Sequence, residues 1–237
     1  MVSVLPMRAR GAVGRRGGAT LVGPVDLTLD GTGTTVVLGP NGSGKTSLLR
    51  LLHGIARLSA GRIDWACPLA EARRRQTFVF QRPVMLRRSV LANVTYPLRL
   101  AGMARAEADA RARAWIDRVG LAAATDRDAT DLSGGEGQKL ALARALVTDP
   151  ALVFLDEPCA SLDGRATREI EAILRDAAAR GVRLVMSTHD MGQARRLADE
   201  AWFLRGGLLH EAGRADTFFA GPSTEAARAF LRGDIVD

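Results

Sequence analysis

Thr34 to Leu38 (TTVVL) is a short β-branched run that stops at Gly39. Gly39-Pro40-Asn41-Gly42-Ser43-Gly44-Lys45-Thr46 follows, and then a helix-forming stretch begins. No other feature narrows the fold as far. A β-branched run bounded by glycine suits a strand buried on both faces in a parallel sheet. The eight residues after it satisfy G-x-x-x-x-G-K-[ST] in full, in the strand-before-helix setting that this pattern needs. Glycines let backbone N–H groups turn toward phosphate oxygens, and the start of the helix adds the positive end of its dipole. Lys45 can reach the β- and γ-phosphates of a nucleotide, and the Thr46 hydroxyl can coordinate Mg²⁺.

A second element agrees with the first. Residues 151–158 (ALVFLDEP) run five apolar residues through a sheet and deliver Asp156 and Glu157 at its C-terminal edge. Open α/β sheets bind ligands at that edge. Asp156 there can hold Mg²⁺, directly or through water, and Glu157 can polarise a water that attacks a γ-phosphate.

The remaining pattern alternates. Residues 25–29 (VDLTL) read as a half-exposed strand, 48–58 as the helix after the phosphate loop, and 77–80 (TFVF) as another strand. From about 84 to 146 the chain is mainly helical and rich in Ala and Arg, with 107–119 the clearest segment. A helix over about 165–180 ends before Gly181, strand signals return at 184–187, and 201–204 and 208–211 form a hairpin through Gly206-Gly207. The Gly/Arg-rich stretch 8–18 reads as low-complexity linker. Strands alternating with helices predict an α/β class with a mostly parallel core and an antiparallel portion. One domain over 1–237 is expected, with a helical subdomain inserted at about 84–146.

Composition limits the partners. Hydrophobic residues at 47% and charged residues at 25% exclude a disordered chain, a collagen and a coiled coil. The net charge is +7, and Lys45 and Lys139 are the only lysines among 33 basic residues. Such a balance suits nucleic acid, an anionic membrane surface or a phosphate ligand. No run of about 18 apolar residues exists to span a bilayer. The N-terminal order, a short apolar start and then basic residues, is the reverse of a secretory signal. Cys67 and Cys159 stand far apart in no ligand spacing, which predicts two reduced thiols and an intracellular chain.

Leu132-Ser133-Gly134-Gly135-Glu136 is the third element. Ser133 and Glu136 fit a capping box that opens a helix through about Val147, before Asp149-Pro150 ends it. Two glycines at that helix start let a phosphate approach the backbone. Together with the phosphate loop and the Asp156-Glu157 strand, this resembles the ATP-binding cassette (ABC) ATPases, over nearly the whole chain from about 25 to 211. The resemblance implies a P-loop NTPase core, with ATP and Mg²⁺ as ligands. Gln81 looks like the family's glutamine that senses Mg²⁺ and water and links the ATP site to the helical subdomain. Ser161-Leu162-Asp163 looks like the loop that crosses the dimer interface, and His189 like the switch histidine that contacts the γ-phosphate. The implied assembly is two copies sandwiching two ATP molecules, each between Gly39–Thr46 of one copy and Ser133–Glu136 of the other.

Some positions depart from the family. Arg15 or its neighbour stands where an aromatic often stacks on adenine, Gly137 where Gln is usual, and Lys139 where Arg is frequent. Cys159, between two site loops, reads as a packing residue. With no membrane span, a single cassette, no long heptad insert and little chain after the cassette, the sequence most resembles the ATP-hydrolysing subunit of a bacterial importer. Such a subunit is peripheral, on the cytoplasmic side of the inner membrane. Residues 81–90 lie where such subunits receive transmembrane permease subunits, with Met85, Leu86 and Val90 as an apolar seat and Arg82, Arg87 and Arg88 around it. An extracytoplasmic substrate-binding protein then acts indirectly. The wording FQRPVMLRRSV and the ending EAARAFLRGDIV look like tungstate- and phosphate-type importers, making an oxyanion such as tungstate, molybdate or phosphate the expected cargo. No nucleic-acid partner is expected. The alternative reading is a soluble ABC ATPase in assembly or nucleic-acid maintenance.

Overall fold

The computed structural model describes residues 3–234; Ile235 and Val236 of the importer-like ending lie outside the described residues. In chain order the strands are β1 (Met7–Arg16), β2 (Ala19–Leu29), β3 (Thr34–Leu38), β4 (Leu58–Trp65), β5 (Gln76–Val79), β6 (Leu152–Asp156), β7 (Arg183–Ser187), β8 (Glu200–Arg205) and β9 (Leu208–Arg214). The helices are α1 (Lys45–His53), α2 (Leu69–Arg74), α3 (Val90–Leu100), α4 (Arg105–Arg118), α5 (Gly134–Leu146), α6 (Gly164–Ala179), α7 (Met191–Leu197), α8 (Ala215–Ala220) and α9 (Glu225–Arg232).

Two sheets result. β2-β1-β4 is antiparallel, and the six-stranded order β5-β6-β7-β3-β8-β9 is parallel except for β9. Every residue of β3, β6 and β7 is buried, as expected for central parallel strands covered on both faces. Side chains alternate between two layers. Val36, Leu38, Leu155 and Met186 point into the core shared with α3 to α6, while Val37, Phe154 and Val185 pack on α1 and the antiparallel sheet. Helices α3, α4 and α5 fall between β5 and β6 in the chain. Arg118 and Arg180 both cover the Trp115 ring, at 5.2 and 4.8 Å from its centre, which ties α4 to α6.

Register explains how a site forms at one edge. Val37 pairs with Ser187, and Ser187 with Asp156, so the C-terminal ends of β3, β7 and β6 stand in one row. The loops after these strands carry the phosphate loop, His189 and Glu157.

The opposite edge is held by charge. Arg183 is buried, with Nη2 donating to Thr35 Oγ1 and to Glu200 Oε2, both at 2.7 Å, and Nη1 donating to the Thr32 carbonyl at 3.1 Å. These bonds cross β7, β3 and β8. Removing one partner of such a pair strands the other charge. Arg183→Met is therefore expected to lower unfolding stability by about 3 kcal/mol in urea titrations, with part returned by adding Glu200→Gln. An unchanged midpoint would show that the pair contributes nothing.

Three expectations are corrected. Residues 8–18 are a strand and its turn, not a linker: they form most of β1, in register with β2 and β4. The helix expected over 48–58 ends at His53. Gly54 adopts φ 89° and caps Arg50 and Leu51 carbonyls, which releases the chain into β4 from Leu58. Val90 offers no seat to a partner, because it begins α3 and is fully buried. Val84, 72% exposed, is the open apolar side chain of that segment.

Candidate active site

The phosphate loop closes over its own lysine. Lys45 Nζ donates to the Gly39 and Pro40 carbonyls at 2.8 and 2.9 Å. Burial lowers the Lys45 pKa below the usual lysine range, and the charges of Glu157 and Asp156 oppose that shift. Gly39 has no room for a side chain: a Cβ would lie 2.1 Å from the Leu204 carbonyl oxygen and 2.8 Å from Ser43 Oγ. Ser43 Oγ is buried without a partner, so the loop holds an unused polar group ready for a ligand oxygen. Gly44 caps α1 at φ 99° with no side-chain cap and no acid in the first turn, which leaves the helix N-terminus open to an anion.

Asp156 and Glu157 meet this loop. Thr46 Oγ1 donates to Asp156 Oδ1 at 2.8 Å. Ser187 Oγ donates to the same Asp156 oxygen at 3.0 Å and accepts from the Glu157 N–H at 3.1 Å. Local sequence pattern does not mark Ser187 as a site residue. A hydroxyl closing an apolar strand beside the acidic one is the available signal, and only sheet order makes it specific. Glu157 sits at φ 45°, a left-handed conformation uncommon for a non-glycine residue. Its Oε2 accepts from Gln81 Nε2 at 3.2 Å and lies 3.2 Å from His189 Nδ1. Gln81, Glu157 and His189, from three different loops, thus converge on one carboxylate oxygen.

Ser133, Gly134, Gly135 and Glu136 stand apart from that cluster. Ser133 Oγ accepts from the Glu136 N–H at 3.3 Å, and Glu136 Oε2 accepts from the Ser133 N–H at 2.9 Å, a complete capping box. Hydrogen bonds from Ser133 hold the Glu136 carboxyl below its usual range. These residues line a cleft of about 540 Å³ with Ser161, Leu162 and Asp163, and no residue of 39–46 lines it. Within one chain the Ser133–Glu136 cleft and the phosphate loop are therefore separate. Cys159 is a free thiol packed on the core, and burial pushes its pKa up to about 11, which agrees with a packing role. Arg15 and Arg16 are exposed at the β1–β2 turn.

The family model described as ABC transporter matches residues 22–160, more than half of the chain. The chain belongs to the ABC transporter family. Among ABC relatives, the phosphate import ATP-binding protein PstB 2 of Natronomonas pharaonis is 37% identical, over 92% of this chain and 84% of its own length. The tungstate uptake system ATP-binding protein TupC of Peptoclostridium acidaminophilum is 38% identical, over 86% of this chain and 94% of its own. The methionine import ATP-binding protein MetN of Staphylococcus saprophyticus is 33% identical, over 90% of this chain and 66% of its own. Among solved ABC structures, cbiO1 of Clostridium perfringens, part of the cbiONQ transporter complex, matches 97% of this chain and 96% of its own with a TM-score of 0.82 at 24% identity. A dimeric ATP-binding cassette in a post-hydrolysis state with ADP and Pi matches 88% of this chain and 98% of its own, with a TM-score of 0.78 and 24% identity. The fold is the ABC ATPase fold.

Proposed function

We propose that this ABC ATPase is the ATP-hydrolysing subunit of an importer that moves an oxyanion. The convergence of Gln81 and His189 on Glu157, beside Lys45 and Asp156, carries the reading. Gly39 to Thr46 bind the triphosphate. Lys45 exchanges its two carbonyl partners for phosphate oxygens, and Ser43 Oγ gains the partner it lacks. Thr46, Asp156 and Gln81 supply hydroxyl, carboxylate and amide oxygens, the hard donors suited to Mg²⁺. When bound, Mg²⁺ neutralises charge on the β- and γ-phosphate oxygens. Glu157 takes the proton of the attacking water, and His189 orients that carboxylate.

The second half of each site comes from a second copy. The cleft at Ser133 to Glu136 lies at the start of α5, away from Lys45, and fits the far side of a nucleotide bound by a partner. The matched ADP-bound cassette is a dimer, which supports this assembly. The membrane partner docks along 81–90. Exposed Val84 lies beside a 240 Å³ pocket lined by Phe80, Pro83 and Arg144, and Arg144 Nη2 donates to the Val84 carbonyl at 2.8 Å. Among the described residues no helix is long and apolar enough to cross a membrane. In the proposed importer a separate permease provides the path, and the protein sits peripherally on the cytoplasmic face of the inner membrane. The phosphate and tungstate functions of two relatives support an oxyanion cargo, delivered by an extracytoplasmic binding protein.

Co-expression with the candidate permease and reconstitution into vesicles tests the reading. Expected are copurification, hydrolysis that rises when anion-loaded binding protein is supplied, and loss of both with Val84→Glu while ATP binding stays intact. Hydrolysis stimulated by DNA or RNA and indifferent to the permease supports instead a soluble ABC ATPase in nucleic-acid maintenance.

A further inference from the structure

Among the described residues, only Asp156 and Glu171 are buried carboxylates. Asp156 serves the phosphate loop, whereas Glu171 has no part in the site described above. A buried carboxylate is costly unless paired and hydrogen-bonded. Glu171, on α6, is paired twice. Arg175 Nη2, one turn further along the same helix, donates to Oε2 at 2.9 Å. Arg196, on α7, grips it with both arms, Nε to Oε2 at 2.9 Å and Nη2 to Oε1 at 2.6 Å.

The two helices joined by this grip each begin where a loop of the site ends. Helix α6 starts after Ser161-Leu162-Asp163, with Asp163 accepting from the Ala166 N–H at 2.7 Å. Helix α7 starts directly after His189, with Asp190 accepting from the Gln193 N–H at 2.9 Å. Only Ala194 and Leu197 anchor α7 through buried apolar side chains. Gly192 leaves the space over which Arg196 folds back, since a Cβ there would lie 3.0 Å from Arg196 Nη1. The His189 side chain is 61% exposed and pairs with Glu157 at 3.2 Å, so its place depends largely on the helix behind it.

We propose that Glu171 and Arg196 are positioning residues for hydrolysis: their bidentate pair fixes α7 on α6, and so holds His189 against Glu157 in register with the 161–163 loop. The pair thereby makes the two loops move as one unit. This rests on the reading that Glu157 and His189 serve hydrolysis, and the test separates the two.

Steady-state hydrolysis, ATP binding and the imidazole NMR resonances are compared in wild type, Arg196→Met, Arg196→Lys, Glu171→Gln, Arg175→Met and Glu157→Gln. The chain has only three histidines, so the His189 signal is readily assigned. Misplacement by about 1 Å can cost about 10²-fold in rate, so Arg196→Met and Glu171→Gln are expected to lower kcat at least about 10-fold. KM for ATP is expected to stay within about 2-fold, because ground-state binding by the phosphate loop is untouched. Arg196→Lys keeps the charge without the fork and is expected to fall between. The His189 resonance shifts in Arg196→Met, whereas Arg175→Met changes neither rate nor resonance because its pair lies within one helix.

Unchanged kcat in Glu171→Gln and Arg196→Met overturns the positioning role. Equal loss in Arg175→Met does so too, by reducing the effect to general helix stability. Should Arg196→Met fail to bind ATP, Glu171→Gln and Arg196→Lys decide by the same readouts. Wild-type turnover in Glu157→Gln overturns the underlying reading of the site instead, whatever the other variants do.

Discussion

Glu157→Gln is expected to reduce ATP turnover by about 10²- to 10⁴-fold, the range typical for loss of a general base. Glutamine keeps the length and shape of glutamate and can still meet Gln81 and His189, each 3.2 Å from the present Oε2. It cannot accept the proton of the attacking water. Nothing in the phosphate loop changes: Lys45, Ser43 and the open N-terminus of α1 remain, so ATP binding persists. The variant is therefore expected to hold ATP and accumulate as dimers on size exclusion, while phosphate release nearly stops. The backbone at 157 already has φ 45°, and glutamine meets the same steric demand as glutamate, so the fold should not distinguish them. Phosphate release within about 3-fold of wild type would remove Glu157 as the base.

The parts of this site that sequence exposes are those whose chemistry is local. The phosphate loop needs a buried strand, glycines and a lysine in consecutive order, and β3, Gly39 to Thr46 and α1 follow each other without interruption. The capping box needs only Ser133 and Glu136 three residues apart, and both of its bonds form. Gly206 and Gly207 have φ 53° and 78°, the pair of positive values that a two-residue hairpin turn requires.

What sequence conceals is set by neighbours distant in the chain. β1 breaks the alternation with register shifts at Ala9/Ala12, Ala12/Gly14 and Gly14/Arg15, so its buried residues fall at irregular intervals. β4 is mostly exposed and carries Gly61, which looks like a turn residue. Its actual reason is close approach: a Cβ there would lie 2.1 Å from the Gly11 carbonyl oxygen on β1. Ser187 is another such case, because its hydroxyl acquires meaning only once β7 pairs with β6. The Glu171–Arg196 pair spans 25 residues, and no local pattern links a glutamate in one amphipathic helix to an arginine in the next.

The separation of the Ser133–Glu136 cleft from the phosphate loop leads to the second large effect. Ser133→Arg places a long, branched side chain in the 540 Å³ cleft between the start of α5 and Ser161, Leu162 and Asp163. Two separate losses follow, and they are distinguishable. Losing the Ser133 cap weakens the α5 start by about 1 kcal/mol, which is visible in denaturant unfolding but too small to unfold the protein. In the proposed shared-site dimer, filling the cleft blocks the partner's nucleotide, and this predicts hydrolysis at background level even at saturating ATP. Nucleotide binding to the isolated monomer is expected to be unchanged, because none of residues 39–46 lines that cleft. Wild-type turnover per subunit should rise with protein concentration, since each half-site waits for a partner, while the variant stays flat. Ser133→Ala provides the control, with the same loss of the cap and an open cleft. Should Ser133→Arg hydrolyse ATP as fast as Ser133→Ala, each chain would complete its own site and the shared-site assembly would be wrong.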